Sequence, residues 1–400
     1  MTHGFQDLTT AIGAALSERE GQKIGLAVSG GGDSVALLRL VASARTNAIY
    51  VYTVDHGLRP ESATEVQFVA ELCDKLGVPC RILRWSGSPR GNISAAARAA
   101  RYGLIAQAAK SDDVGTVMLA HTQDDQAETV LMALTRKAGV DGLSAMPECM
   151  SDRGIVWLRP LLEATRTQLR AYLREIGQDW IDDPTNDDRN YERVRMRQAQ
   201  EILSDLGLSA EALTAVARNM QSARTALEVA TEQAWHADCA LVAGAVKLDR
   251  TGFAARPQEI QRRILQRARH IAAPLGGSLR KDPLMQFLTE PEFKTASIGG
   301  CLILVKPNAI WVTREPAAVG DLQTPCDAIW DGKWQVSAQK AVQNTVIRAL
   351  GQDGLNCYPE WRELDIPRHV LLTTPSVWLE NRLIAAPLIG QTENWSAKLI

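Results

Sequence analysis

Between residues 23 and 134, short apolar runs alternate with longer stretches whose apolar residues recur at helical spacing. Four of the runs read as strands: KIGLAV (23–28), IYVYTV (49–54), CRILRW (80–85) and GTVMLA (115–120). Strands alternating with helices predict a parallel sheet covered on both faces, with right-handed crossovers. Such a sheet directs ligands to the carboxyl ends of its strands. The polar stretches at those ends are SGGGDS after the first strand, DHGLRPES after the second and HTQDDQAET after the fourth.

The first of these opens directly into a helical pattern, which gathers unpaired backbone N–H groups and the positive end of a helix dipole at one point, an anion site. Gly30, Gly31 and Gly32 allow the backbone to approach an oxyanion closely and to take positive φ, while Ser29 and Ser34 add hydroxyl donors. A plain strand-to-helix turn capped by Ser or Asp is the alternative for the glycines taken alone. The Gly-Lys-Ser/Thr ending of a Walker loop is absent, and a dinucleotide fingerprint would need Gly or Ala at Val35. Asp33 is the odd residue in an anion site. A carboxylate beside a pyrophosphate is accounted for if Mg²⁺ bridges the two. The stretch resembles the SGGxDS loop of the PP-loop ATP pyrophosphatases, which bind ATP and release pyrophosphate while adenylating a substrate.

On the helix predicted after the fourth strand, Asp125 and Glu128 stand three residues apart, and His121 stands four before Asp125, so the three can converge on one face. Thr122 followed by Asp125 also reads as a capping box, and acids are ordinary in a first helical turn. Two carboxylates close to a nucleotide need a cation between them, either Mg²⁺ or a positively charged substrate.

After residue 147 the pattern changes to a helix (RPLLEATRTQLRAYLREIG), an acidic turn-rich segment leading into a basic helix (182–197) and a long helical stretch (209–237). Arg262, Arg263, Arg267 and Arg269 form a basic stretch that reads either as a solvated helix face or as a track for phosphates. From about 320 onward, short strand-like runs separated by Gly and Pro suggest a small end domain. The seven cysteines form no C-x-x-C pair, so zinc ribbons and cysteine-ligated clusters gain no support and reduced thiols are expected. A net charge of −2 confines any nucleic-acid surface to local patches. The polar amino terminus lacks a signal-like apolar core, and no run approaches a membrane span, so a soluble cytoplasmic protein with no membrane partner is expected.

Taken with NISAAARAARY (92–102) and DDPTNDDRNYERVRMR (182–197), these motifs resemble, in order and spacing, those of the tRNA(Ile)-lysidine synthetases. The match is strong over about residues 20–200. IWDGKW (329–334) and TTPSVWLENRLIAAP (373–387) resemble that family's carboxyl-terminal domain. The resemblance implies an α/β fold: a PP-loop, adenine nucleotide alpha hydrolase-like domain with a parallel sheet (1–205), a helical tRNA-binding middle domain (206–315) and a small α+β carboxyl-terminal tRNA-binding domain (316–400). It implies ATP and Mg²⁺ as cofactors, free L-lysine and a CAU-anticodon tRNA(Ile) as partners, and allows a homodimer.

By the same resemblance, ATP is assigned to Ser29, Gly30, Gly31, Gly32, Asp33, Ser34, Asp55 and His56, with Mg²⁺ at Asp33. Lysine falls to Asp125 and Glu128, catalysis to Asp125, Glu128, His121 and Asp33, and tRNA to Arg98, Arg101, Arg193 and Arg197. Two other readings stay open: another PP-loop adenylating enzyme acting on tRNA, thiolation-like, and a non-catalytic nucleotide- or RNA-binding protein. Cluster-dependent thiolases need grouped cysteines, amidotransferase synthetases need an ammonia source, and pure binding would not need Asp33, Asp125 and Glu128 together.

Overall fold

The computed structural model describes residues 5–44, 46–57, 62–87, 93–182, 192–276, 281–290, 293–338, 344–390 and 394–400. Two compact units divide the chain, Met1–Arg224 and Thr225–Ile400. In the first, α1 (Gln6–Ser17) leads into β1 (Ile24–Ala27), α2 (Gly32–Ala44), β2 (Ile49–Asp55), α3 (Ser62–Leu76), β3 (Cys80–Arg84), α4 (Ile93–Ser111), β4 (Thr116–Met118) and α5 (Gln123–Thr135). The short α6 (Val140–Leu143), the hairpin β5 (Cys149–Asp152) and β6 (Ile155–Leu158), and the helices α7 (Arg166–Glu175) and α8 (Glu192–Asp205) follow, while α9 (Ala210–Asp238) begins in the first unit and ends in the second.

Among the described residues the sheet runs β3-β2-β1-β4-β6-β5, with only β5 antiparallel to its neighbour. The four expected strands are all present. The β5–β6 hairpin was not among them. Its arms are four residues each, too short to show a period, and they turn at Arg153 and Gly154, both with positive φ (55° and 71°).

The chain moves from β1 outward through β2 and β3, then crosses back to lay β4 on the other side of β1. That reversal opens a crevice at the carboxyl ends of β1 and β4, where ligands bind in open α/β sheets. The crevice is held by packing beneath it. Ile24 and Leu26 of β1 and Val35, Leu37 and Leu38 of α2 are fully buried, and each such side chain contributes about 1.5–3 kcal/mol. Gly25 leaves room for its neighbours: a Cβ there would lie 2.8 Å from the Tyr52 ring and 2.9 Å from a Val117 methyl.

The second unit adds an antiparallel sheet to the helices expected in the middle of the chain. It is formed by β7 (Cys239–Val242), β8 (Ala245–Asp249), β9 (Ala296–Ile298), β10 (Cys301–Val305) and β11 (Ala309–Arg314), in the order β7-β8-β11-β10-β9. Helices α10 (Arg250–Ala255), α11 (Gln258–Ala272) and α12 (Lys281–Thr289) accompany it, with a core around Phe253, Ile264, Leu265 and Ile310. The basic stretch lies on α11 and is engaged within the unit. Arg262 and Arg263 bond Glu259 at 2.7 and 2.8 Å, and Arg267 pairs with Glu232 and covers the Trp235 ring.

Beyond these lie β12 (Gln323–Pro325), β13 (Trp334–Ala338), β14 (Val346–Ala349), α13 (Gly351–Asn356), α14 (Arg368–Leu372), β15 (Pro375–Leu379), β16 (Arg382–Ala385) and β17 (Trp395–Leu399). They form a β12-β14-β15-β16 sheet and a β13–β17 ladder. A buried charged group sits in this unit: Nε of Arg314 donates to both oxygens of Asp331 at 3.1 Å, while Nζ of Lys333 donates to the carbonyls of Ala272 (2.6 Å) and Gly244 (3.3 Å). No helix among the described residues is long and apolar enough to cross a membrane.

Candidate active site

The turn after β1 is tied together by its own serines. The Ser29 N–H donates to Oγ of Ser34 at 3.2 Å, and that hydroxyl donates to the Gly31 carbonyl at 2.9 Å. Residues 179–182 cross the turn, where the Ile181 N–H donates to the Gly30 carbonyl at 3.0 Å. Gly30 has φ of +91°, which the fold itself reserves for glycine. Gly31 is different, since a Cβ there would meet only Oγ of Ser29, at 3.7 Å. The fold leaves space at Gly31, so packing within the described residues does not itself require a glycine there. Asp33 stands in the first turn of α2, with Oδ2 3.5 Å from Nε of Arg166. Burial pushes its carboxyl up to about 6, with Arg166 opposing and Asp125 adding to the rise.

Across the crevice, Thr122 caps α5 and Asp125 completes the capping box. The expected cap is therefore present, and it uses only half of the carboxylate. Oδ2 of Asp125 accepts from the Thr122 N–H (2.9 Å) and hydroxyl (3.1 Å), which leaves Oδ1 to accept from Nη2 of Arg166 at 2.6 Å. Glu128, one turn on and fully buried, accepts at Oε1 from Nη1 of Arg166 (2.8 Å) and Nε of Arg197 (3.1 Å). Its Oε2 is buried with no hydrogen-bond partner among the described residues. Burial works against ionisation of Asp125, but Arg166 above all, with the Thr122 N–H, holds its carboxyl below the usual range.

Arg166 thus joins Asp33 to Asp125 and Glu128, which two separate sequence motifs had pointed to. It was itself missed, because it lies in a stretch that carries only a helical period. One signal was available. Arg166 is the first residue of α7, after the cap Thr165, and a cation at the positive end of a helix is unfavourable unless acids surround it. Here Asp124 also accepts from the Arg166 backbone N–H at 2.8 Å, so α5 fixes the start of α7.

A basic side faces the same acids. The guanidiniums of Arg98 and Arg101 lie 5.2 and 5.9 Å from the centre of the Tyr102 ring, which packs on buried Trp157 at 4.5 Å. Burial, with Arg98 and Arg193 nearby, pushes Arg101 below the usual arginine range. Arg98, Arg101 and Arg193 form no ion pair among the described residues. Arg197 instead belongs to the carboxylate cluster through Glu128. Burial also pushes His121 down to about 3, so it stands neutral, with Nδ1 lacking a hydrogen-bond partner.

The remaining assigned residues sit at the end of β2. Oδ1 of Asp55 accepts from the Gly57 N–H (2.9 Å) and the Ser62 hydroxyl (2.7 Å), bonds that close the turn into α3 and lower its pKa. His56 meets Trp85 edge-on at 6.1 Å and is pushed down by burial and then by Arg101. Of the acidic turn, Asp182 accepts from Arg170 at 3.2 Å, whereas Asp183, Asp187 and Asp188 lie outside the described residues.

The site as a whole pairs a backbone anion cradle with a carboxylate pair suited to a cation and a cluster of guanidiniums, without ion pairs among the described residues, suited to a polyanion. The PP-loop domain family matches residues 5–204. A protein of Ruegeria pomeroyi, named tRNA(Ile)-lysidine synthase, is 43% identical over 100% of this chain and 96% of its own length. A Bradyrhizobium protein of the same name is 40% identical over 67% of this chain and 81% of its own. Among solved structures, a U34-tRNA thiolase of Methanococcus maripaludis aligns with a TM-score of 0.48 at 13% identity, over 55% of this chain and 80% of that one.

Proposed function

The chain belongs to the tRNA(Ile)-lysidine synthase family, and from that membership we propose how its site makes lysidine from ATP, free L-lysine and the wobble cytidine of a CAU-anticodon tRNA(Ile). The 2-oxygen of cytidine is a poor leaving group. Its attack on the α-phosphate of ATP expels pyrophosphate and leaves an O-adenylated base. The lysine ε-amine then forms a bond to C2, and AMP departs with the former oxygen.

The observation that carries this reading is the meeting of the glycine turn with Asp125 and Glu128 at the β1–β4 crevice, around one guanidinium. In it the backbone N–H groups of Gly31 and Gly32 and the hydroxyl of Ser29 hold the ATP phosphates, and Ser34 shapes the turn around them through its bond to the Gly31 carbonyl. Asp125 and Glu128 take the lysine ammonium, and Asp125 accepts the proton that the amine sheds on attack. Neutral His121 donates no charge and faces the adenylated base. Arg98, Arg101 and Arg193 hold the splayed anticodon loop, which planar guanidiniums suit. Asp55 serves the ATP site by fixing the turn that carries His56.

Mg²⁺ fits as a companion of the nucleotide. Among the described residues no three His, Cys, Asp or Glu side chains are grouped to hold a metal by themselves, so Asp33 would supply the protein's carboxylate and the phosphates the other oxygens. Bound there, the ion would neutralise charge on the departing pyrophosphate. In this reading residues 1–205 carry the catalysis, 206–315 and 316–400 grip the tRNA, and the protein works in the cytoplasm.

The test is incubation with ATP, Mg²⁺, radiolabelled lysine and bulk tRNA, counting acid-precipitable label that survives mild alkaline deacylation. Stable label confined to one minor isoleucine tRNA is expected. ATP cleavage to AMP and pyrophosphate without label would instead point to another nucleophile, and ATP binding without turnover to a binding protein. Gel filtration of the same sample distinguishes a monomer from the homodimer that the family resemblance allows.

A further inference from the structure

Recognising a lysine side chain and using it as a nucleophile make opposite electrostatic demands. A pair of carboxylates favours the ammonium form and so holds on to the proton that must leave before the amine can attack. In this site the two acids do not face the substrate alone. Arg166 takes Oδ1 of Asp125 at 2.6 Å and Oε1 of Glu128 at 2.8 Å, and Arg197 shares the latter oxygen at 3.1 Å. Oε2 of Glu128 is left over, buried and unbonded among the described residues, an acceptor of the kind a further N–H donor would satisfy.

We propose that Arg166 activates the incoming lysine: by carrying the counter-charge of Asp125 and Glu128, it lets these acids recognise the side chain without locking it as an ammonium. The inference rests on the lysine-ligation reading above. It makes Arg166 a positioning residue, acting on the amine through the two acids.

The surrounding charges favour the same outcome. The acids facing this point are Asp33 on α2 and Asp124, Asp125 and Glu128 on α5. Against them stand Arg166 and Arg170 on α7, the latter paired with Asp182, and Arg193 and Arg197 on α8, with Arg98 and Arg101 of α4 and Arg159 after β6 acting on His121. Among the described residues these guanidiniums outnumber the carboxylates. An amine placed beside fixed cations in a dry pocket loses its proton more readily than one facing acids alone.

The experiment follows lysine incorporation by the full chain across roughly pH 6.5 to 9.5 in wild type, Arg166→Gln and Arg166→Lys. Arg166→Gln is expected to shift the rising limb of kcat, measured at saturating lysine, up by about one unit, a deficit of about tenfold near neutral pH that closes as the pH rises. The deficit is smaller for a thioether analogue of lysine with a less basic side-chain amine. Arg166→Lys keeps the charge and loses the fork, so it lowers the rate equally at every pH with the limb unmoved. A deficit in Arg166→Gln that is the same at all pH values and for both amines overturns the proposal. If Arg166→Gln does not fold, a moved limb in Arg166→Lys overturns it equally. A wild-type protein that cleaves ATP but incorporates no lysine refutes the ligation reading itself, whatever the variants do.

Discussion

Each unit buries a small group of charges, and the two groups are built differently. In the second unit, Asp331 receives Arg314 at both oxygens, and Lys333 ends on two backbone carbonyls. Burial drives Lys333 down to about 8 and raises Asp331, so these charges sit there at some cost, but each charged group has its partners, and the unbonded atom beside them is the neutral indole Nε1 of Trp334. In the first unit, Asp125, Glu128 and Arg166 are just as closely bonded, yet Oε2 of Glu128, Nδ1 of His121 and Nε of Arg159 are buried with no partner among the described residues. A closed polar group holds a fold, whereas one with unanswered donors and acceptors around it is shaped for something that arrives later.

The largest effect that would break this contrast concerns Glu128. Glu128→Gln should lower kcat/KM for lysine incorporation by about 10³-fold while moving the melting temperature far less than the next variant does. Asp331→Asn should do the reverse, because it strands Arg314 in the interior. We expect a loss of about 3 kcal/mol, seen as a fall of roughly 10 °C in calorimetry, with ligation per folded molecule at room temperature unchanged.

A smaller effect follows from His121. Its folded pKa of about 3 lies below the unfolded value of about 6.5, so the unfolded chain takes up the extra proton and stability is lost as pH falls from about 6.5 towards 3. His121→Gln should be spared about 1–2 kcal/mol of that loss when urea denaturation at pH 4 is compared with pH 7. The smallest effect on stability is Gly31→Ala, within about 0.5 kcal/mol, because a methyl fits there. ATP binding measured by calorimetry should nevertheless weaken tenfold or more. In the second unit, Gly244→Ala offers the contrast. That glycine has φ of +75° and a Cβ would overlap Trp334, so stability itself falls, by more than about 1 kcal/mol.

Much of the first unit was readable from its residues because its signals are local. The apolar runs of β1 to β4, the glycine turn and the Thr122–Asp125 cap each declare themselves within a dozen positions. The β5–β6 hairpin did not, since four-residue arms carry no period. The sheet of the second unit was hidden for a related reason: the long pattern of α9 dominates its neighbourhood, while β7 and β8 are short arms about Ala243 and Gly244. Arg166 was invisible for a third reason. Its meaning lies in tertiary contacts to residues 38, 41 and 133 positions away, which no window along the chain spans.

The divided carboxylate of Asp125 has a consequence for timing. One oxygen belongs to the helix cap and the other points to the crevice, so the direction of the free lone pairs is set by backbone geometry rather than by a side-chain rotor. The rotational freedom of that side chain is surrendered when the chain folds, before any substrate arrives, and a ligand meeting it loses none of its affinity to ordering the group. Lengthening the side chain by one methylene would keep the charge and lose that alignment. At this position the shape of a helix end and the aim of a reactive group are the same degree of freedom.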